Sequence, residues 1–475
     1  MPLAPTPPHR RLPSVKARLP GWGWLEWFVV SQTLLPALLF LPGIQPARTA
    51  IRVAAYVVAP LAWVMVTMRG RPTPGSDTFP ARPWLIVSIT WLVLSLFHPN
   101  IYSIMTALAQ VALYVSIVSP AFWAPRALRS PKQLGRVVTV LFLCNALSAT
   151  VGILQAFRPQ TFNPPVIPAM SNKFNGEDLM YQAADGRMII RPCGLTDSPG
   201  SASPAGAVAA LIGLCFALRP IGAWRRLACL ALAFIGVAVI YYTQVRFPLV
   251  MLVICGMVLT GLLIYQQNYK QAVELVVGGI VIGLGALMWV ARSVGSRVLK
   301  RFGSLMSENP GSYYYRSRGA YVHHALEVVL WQYPFGYGMG WWGMTHAMFS
   351  DPSRFSPVWV EVMIPAWIYD GGAPLLVLYV GAVVVAVLNS LRIALRSNDP
   401  DVSFWAAVVV ALDVSTVALC FSFVAFVNPI GLQFWLLNAA LHAADALARA
   451  RPLRLPAAAR RPRLPRPWPP GPAPR

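Results

Sequence analysis

Acidic residues are scarce in this 475-residue chain: 16 Asp and Glu stand against 39 Lys and Arg, and all charged types together reach only 12%. So little charge, with 56% hydrophobic residues and a mean hydropathy of +0.56, excludes a soluble globular domain. Cysteine pairs are missing too. Of Cys144, Cys193, Cys215, Cys229, Cys255 and Cys420, all but Cys193 lie inside apolar runs, so neither a disulfide framework nor a CxxC metal pair is on offer. No internal repeat is visible, which weighs against the repeat-built secondary transporters. A cleavable signal is also lacking. Arg10, Arg11, Lys16 and Arg18 precede an apolar run too long for a signal core and without a small-residue cleavage site, so the first helix is expected to be a retained anchor.

What is present is long apolar runs. A net charge of +23 suggests nucleic acid at first sight, but the basic residues sit in short clusters between apolar runs of roughly 18–22 residues, the length that spans a bilayer. The charge is topogenic, and no nucleic-acid partner is expected. The runs predict helices near 24–43, 51–68, 84–98, 101–123, 137–157, 203–218, 227–243, 247–265, 271–291, 371–391, 403–425 and 429–447. The expected fold class is therefore all-α: a polytopic integral membrane helix bundle of about twelve transmembrane helices, with a large, partly helical periplasmic loop.

Most of the 39 Lys and Arg fall on the side of residues 1–23, in the clusters around Arg69, Arg126, Arg219, Lys270 and Arg392 and in the tail from Arg449. The positive-inside rule then places both termini in the cytoplasm of a bacterium, its inner (plasma) membrane being crossed many times. Residues 1–23 read as a cytoplasmic basic tail and 24–448 as the transmembrane domain, with outward loops at 158–202 and 292–366. Residues 449–475 read as a disordered Pro/Arg-rich cytoplasmic tail able to touch anionic lipid.

Four polar features gather in or beside the outward loops. The most informative is Arg316-Ser317-Arg318 with His323 and His324, followed by Trp331-Gln332-Tyr333-Pro334-Phe335-Gly336-Tyr337-Gly338-Met339-Gly340. Fixed guanidinium charges, titratable imidazoles and a glycine-punctuated turn suit a phosphorylated substrate, and a lipid-exposed segment would exclude them. Residues 317–331 predict an amphipathic helix along the membrane surface, with Arg318, Val322, Ala325, Leu326 and Val329 on one side and Arg316, Ala320, His323 and Glu327 on another. Pro334 ends it, and the glycines permit a close backbone approach.

A second feature, Arg191-Pro192-Cys193-Gly194 through Gly200, predicts a turn that carries Arg191 and Asp197 to the membrane surface, or one in which Asp197 or Ser198 caps the following helix. Third, the short turn Thr243–Pro248 holds Arg246, whose planar fork matches phosphate oxygens; snorkelling is the plain alternative. The fourth is Glu361, on an outward helix expected from about Val358 to Tyr369, where Trp359, Ile364 and Trp367 would screen it as a usable base. Asp413, inside a predicted span, reads best as a structural, hydrogen-bonded group.

Taken in order, these pieces resemble the bacterial O-antigen ligase and O-antigen or exopolysaccharide polymerase family of membrane glycosyltransferases, over roughly residues 137–392. The most specific portion runs from Arg318 and Ala325-Leu326 to Pro334-Phe335-Gly336-Tyr337-Gly338-Met339-Gly340, which looks like the family's Arg…Ala-Leu…Pro-x-x-Gly-x-Gly segment. Arg246 matches the arginine of its short turn, and Arg191-x-x-Gly194 looks like its Arg-x-x-Gly element. One departure stands out. Where the family's ligases carry a histidine ahead of the helix start that here reads Asp370-Gly371-Gly372-Ala373-Pro374, this chain has Glu361.

The resemblance implies a surface-polysaccharide polymerase or ligase, polymerase being favoured by Glu361. It would transfer a glycan from a polyprenyl-diphosphate carrier to an acceptor hydroxyl on a glycan or lipid, without metal or cofactor and with inversion. Arg191, Arg246, Arg316 and Arg318 would hold the diphosphate, and Glu361 would be the base, with Arg318 and Arg246 sharing the catalytic task; His323, His324 and His346 are alternative bases. Membrane lipids and a polysaccharide export machinery are the further partners implied. The rival readings are a lipid-linked glycan flippase or permease, and a non-catalytic subunit of a polysaccharide secretion complex.

Overall fold

The computed structural model describes residues 22–41, 43–69, 75, 77–164, 180–182, 188–295, 298–299, 302–303, 309–349, 358 and 360–450. The two terminal tails fall almost wholly outside these residues, as does Trp359.

Helices appear at the predicted places, and their starts follow from local chemistry. They are α1 (Trp24–Ala37), α2 (Arg48–Arg69), α3 (Arg82–Leu94), α4 (Ile104–Val118), α5 (Pro120–Ala127), α6 (Pro131–Phe157), then α7 (Pro159–Phe162) in the first long loop. A three-residue antiparallel pair, β1 (Met180–Gln182) and β2 (Met188–Ile190), follows, with Met180 opposite Ile190. Beyond it come α8 (Ala202–Ala217), α9 (Ala223–Thr243), α10 (Phe247–Tyr265) and α11 (Tyr269–Val294). Proline opens α5, α6 and α7 and stands in the first turn of α10, where its missing N–H costs nothing. The Ser103 hydroxyl accepts the Thr106 amide at the start of α4, an ordinary N-cap.

Among its described residues, the second long interval is mostly helical. Here α12 passes through Pro310–Tyr314, Tyr315–Gly319, Ala320–His324, Ala325–Val329 and Leu330–Gln332, the second and fourth of these stretches being π turns. A short α13 (Gly343–Phe349) precedes α14 (Met363–Arg396), α15 (Pro400–Leu419) and α16 (Pro429–Arg449). The Asp399 carboxylate caps α15 by accepting the amides of Asp401 and Val402.

Among the described residues, eight helices are long and apolar enough to cross a membrane, and three shorter apolar helices lie at Trp24–Phe40, Arg82–Phe97 and Ala202–Ala217. A bundle of this kind satisfies its backbone hydrogen bonds internally, as a polytopic membrane protein must. The short α8 spans only about 24 Å at 1.5 Å per residue, yet nearly all of it is buried, so it packs inside the bundle. Small residues let it do so: a Cβ on Gly206 would stand 2.4 Å from the Gly236 carbonyl oxygen of α9, the close helix crossing that glycine permits.

Contacts sort the helix ends into two groups. At one end, Gln266 donates to the Ala394 carbonyl and the Ser403 hydroxyl, Arg219 pairs with Asp401, and the Ser397 hydroxyl donates to Asp445. At the opposite end, Met363 N donates to the Cys420 carbonyl and the Tyr314 hydroxyl to the Phe421 carbonyl. With Arg219 after α8 and Gln266 before α11 at the first end, the far ends of α8 and α11, which border the two long intervals, point to the second. Asp413 is buried, and its Oδ1 accepts Asn438 Nδ2 at 2.8 Å, the hydrogen bond expected of it.

Candidate functional site

The glycine-rich turn after α12 is locked into a break in α14. Gly372 has φ 64° and ψ −155°, which interrupts helical geometry there, and a Cβ at this position would lie 2.1 Å from the Pro334 carbonyl oxygen. Only glycine fits. The groups freed by the break are satisfied by neighbours: Ala373 N donates to the Pro334 carbonyl at 2.8 Å, Tyr337 N to the Tyr369 carbonyl at 2.9 Å, and Trp91 Nε1 to the Gly371 carbonyl at 2.8 Å. The close approach expected of Gly336–Gly340 is real: Gly336 lies against the Gly371-Gly372 pair, Gly338 against Asn100 and Gly340 against Thr106.

Docking of that turn lays α12 along the first turns of α14. Ala325 and Val329 are buried against Ile368, with Tyr333, Ile364 and Tyr369 packed around them. The expected face holds for Ala325 and Val329 but not for Leu326, which is exposed. Two π turns explain the departure, since a fifth residue per turn rotates the stripe away from ideal 3.6-residue spacing.

This packing sets Arg318 Nε 3.5 Å from Glu361 Oε2, with the two side chains 39% and 37% exposed. Two residues singled out separately in sequence thus meet at the loop end of the bundle. Their setting differs from the expectation. The helix starts at Met363 rather than near Val358, where Val358 N donates to the Trp341 carbonyl in a parallel bridge, and Glu361 lies just ahead of the helix. Trp367 does not screen Glu361 from solvent, being buried against Tyr379 and Phe426.

Arg191 and Arg246 belong to a second group. Gly200 N donates to the Arg191 carbonyl, and Gly200 packs under Val245, so the turn carrying Arg191 lies against the turn carrying Arg246. Gln244, in the left-handed region at φ 53°, lets the chain reverse there. Asp197 does not cap α8. Its Oδ2 accepts Arg48 Nε at 2.7 Å and Arg52 Nη2 at 2.6 Å, and the N-cap Ser201 makes no side-chain cap bond. The charge of two guanidinium groups at the start of α2 outcompetes a local amide for that carboxylate.

The remaining predicted groups stand apart. Arg316 is exposed and donates from Nε to the Ser312 carbonyl. His323 is also exposed and pairs with Glu327 at 2.8 Å, and His324 is exposed. His346 is buried, with Nδ1 2.9 Å from the Gly340 carbonyl, which can only accept. Of the three histidines, then, one is held against backbone in the core and two face outward.

Sequence reasoning missed two groups of residues. Arg48 and Arg52 were not singled out, although basic residues on the side where positive charge is sparse were a signal that could have found them. The Asp370 carboxylate is buried and accepts Gln110 Nε2, Tyr114 OH and Trp342 Nε1, each within 2.9 Å. Thr345 extends this network by donating to Gln110 Oε1 at 2.6 Å. Three donors to one buried carboxylate make a rigid joint between α4, α13 and α14 beside the helix break.

Chemically, the loop end of the bundle offers guanidinium groups for an oxyanion and a partly exposed carboxylate able to take a proton. The chain matches no protein-family profile, and no curated protein matches it.

Proposed function

We propose that this protein is a membrane glycosyltransferase that moves a glycan from a polyprenyl-diphosphate carrier to an acceptor hydroxyl, acting as a surface-polysaccharide polymerase or ligase. In this reading the helices at all twelve predicted spans cross the inner membrane of a bacterium, both termini are cytoplasmic and the Arg318–Glu361 end faces the periplasm. The observation that carries it is the approach of Arg318 to Glu361, a cation and a carboxylate 3.5 Å apart at the end of the bundle where the long loops open.

The reaction divides between these groups. As the acceptor oxygen forms its bond to the anomeric carbon, its proton passes to Glu361, and the bond to the carrier diphosphate breaks with its electron pair leaving on the diphosphate. Arg318, with Arg246 and Arg191, stabilises that growing charge. A single displacement inverts the anomeric centre. Before substrate binds, Arg318 and Glu361 neutralise one another; a diphosphate brings more charge than one carboxylate and draws the guanidinium away, leaving the carboxylate to accept the proton.

Translocation without bond formation would call for ionisable groups lining a path through the bundle. Asp370, buried between helices, is instead bonded to three neighbouring side chains, which supports transfer over transport. The test is reconstitution of the purified chain with lipid-linked oligosaccharide. Chain growth or transfer in wild type, lost in Glu361→Gln, is expected; translocation into vesicles with no new glycosidic bond would refute the reading.

A further inference from the structure

Beside the transfer pair lies a row of aromatic rings with polar tips. Tyr333 and Tyr337 are 4.8 Å apart between centroids, Tyr337 and Trp341 5.2 Å, and Trp341 and Tyr102 6.0 Å, with Tyr369 flanking Tyr337 at 6.0 Å. All five are half-buried rather than enclosed. The row is held by backbone: Tyr337 and Gly338 donate their amides to the Tyr369 carbonyl, and Trp341 Nε1 donates to the Asn100 carbonyl at 2.8 Å. Gly338, at φ 122°, leaves the space for this, because a Cβ there would meet the Asn100 carbonyl oxygen at 3.1 Å and the Trp341 indole nitrogen at 3.4 Å.

We infer that this row is a binding strip for a sugar chain, an inference that rests on the transfer reading above. A pyranose ring has apolar C–H faces and a rim of hydroxyls, and it matches rings that offer an apolar face and a polar tip. Tyrosine provides both, and Trp341, its Nε1 held by the Asn100 carbonyl, provides the ring. Residues of the same segment suited to lipid look different: Trp331 is 80% exposed, and Phe335, 61% exposed, touches Trp91 of the apolar α3. The position of the strip is telling. Tyr333 and Tyr369 pack on the same Ala325–Val329–Ile368 cluster that sets α12 against α14, so one end of that helix pair bears Arg318 and Glu361 and the other bears the strip. From the first helical residue, Met363, to Tyr369 is about 9 Å at helical rise, and the strip then leads away along Tyr337, Trp341 and Tyr102. A glycan lying on it keeps its reactive end at the transfer pair.

The test uses the full chain in lipid nanodiscs, fluorescently labelled and applied to a printed array of bacterial surface glycans. Wild type is expected to bind at least one repeating glycan. Trp341→Ala and Tyr337→Ala should each weaken that signal about tenfold or more, the value of one lost ring contact of about 1.4 kcal/mol. Tyr337→Phe should stay close to wild type, as should Trp331→Ala, which lies off the strip. Retained binding in both Trp341→Ala and Tyr337→Ala, or no array binding by wild type, overturns the inference. A separate assay of transfer from lipid-linked donor keeps the two ideas distinguishable. Aromatic-dependent binding with no transfer by wild type would refute the enzyme and leave the strip, whereas transfer with unchanged product length in both alanine variants would refute the strip and leave the enzyme.

Discussion

Pro334 and Ala373 are joined by a hydrogen bond from the Ala373 amide to the Pro334 carbonyl at 2.8 Å, across a break in the helix that ends the outward interval. Because Gly372 sits under that carbonyl in a conformation open only to glycine, the turn that follows α12 and the start of the span in α14 are one unit.

Gly372→Ala should therefore be disruptive. The strained φ/ψ alone costs roughly 1–3 kcal/mol, and the clash with Pro334 adds to it. The expected outcome is a lower thermal midpoint in detergent and a weaker monodisperse peak. Gly279→Ala, at a helical position with nothing within 4 Å of the new Cβ, should be neutral or slightly stabilising.

Arg318 and Glu361 form a half-exposed pair, so breaking it should change thermal stability by less than about 1 kcal/mol. Activity should respond differently. Glu361→Gln should reduce transfer from lipid-linked donor about 100-fold or more, and Arg318→Ala should fall comparably by removing a charge from the leaving group. His323→Ala and Arg316→Ala, on the exposed side of α12, should retain near-normal rates. Normal rates in Glu361→Gln would remove this carboxylate from the mechanism.

Asp197 is buried with Arg48, and its carboxylate also holds Arg52. Removing one partner of a buried pair is expensive, roughly 3–5 kcal/mol, so Asp197→Ala should lower the thermal midpoint sharply. Asp77 offers the contrast. Hydrogen bonds from Arg126 and then Arg82 hold it below the usual carboxylate range, yet its side chain is 56% exposed. A depressed folded value means that the contribution of Asp77 is present above the ordinary carboxylate range and fades as pH falls through the folded value. The thermal difference between wild type and Asp77→Asn should accordingly be small at neutral pH and vanish in acid.

Burial pushes the Cys193 thiol up to about 12. In a variant whose other five cysteines are replaced, a maleimide at pH 8 should leave Cys193 unlabelled until the protein is denatured. Rapid labelling of the folded protein would show that the turn around Arg191 opens.

Much of the architecture was legible in local pattern. Apolar runs of membrane length mark the helices, and the concentration of polar residues marks the two intervals that open at one end. Glycine spacing marks Gly336–Gly340 as a close approach. The boundaries near Glu361 were not legible, because a parallel bridge between Trp342 and Val358 competes with helix formation and no residue near Val358 announces it. The π turns of α12 escaped for a similar reason: they shift a stripe of side chains without changing composition.

By itself, then, the sequence determined that this chain is a helical bundle with too few charges for water and a polar interval at one end. Hydrophobicity is a property of each residue and its near neighbours, so it survives reading in one dimension. Tertiary structure alone decided which charges meet. Arg48 and Asp197 are 149 residues apart and Gln110 and Asp370 are 260, and each pairing follows from how helices pack rather than from spacing along the chain. The same holds for Arg318 and Glu361, whose approach depends on a helix break and a glycine turn fitting together.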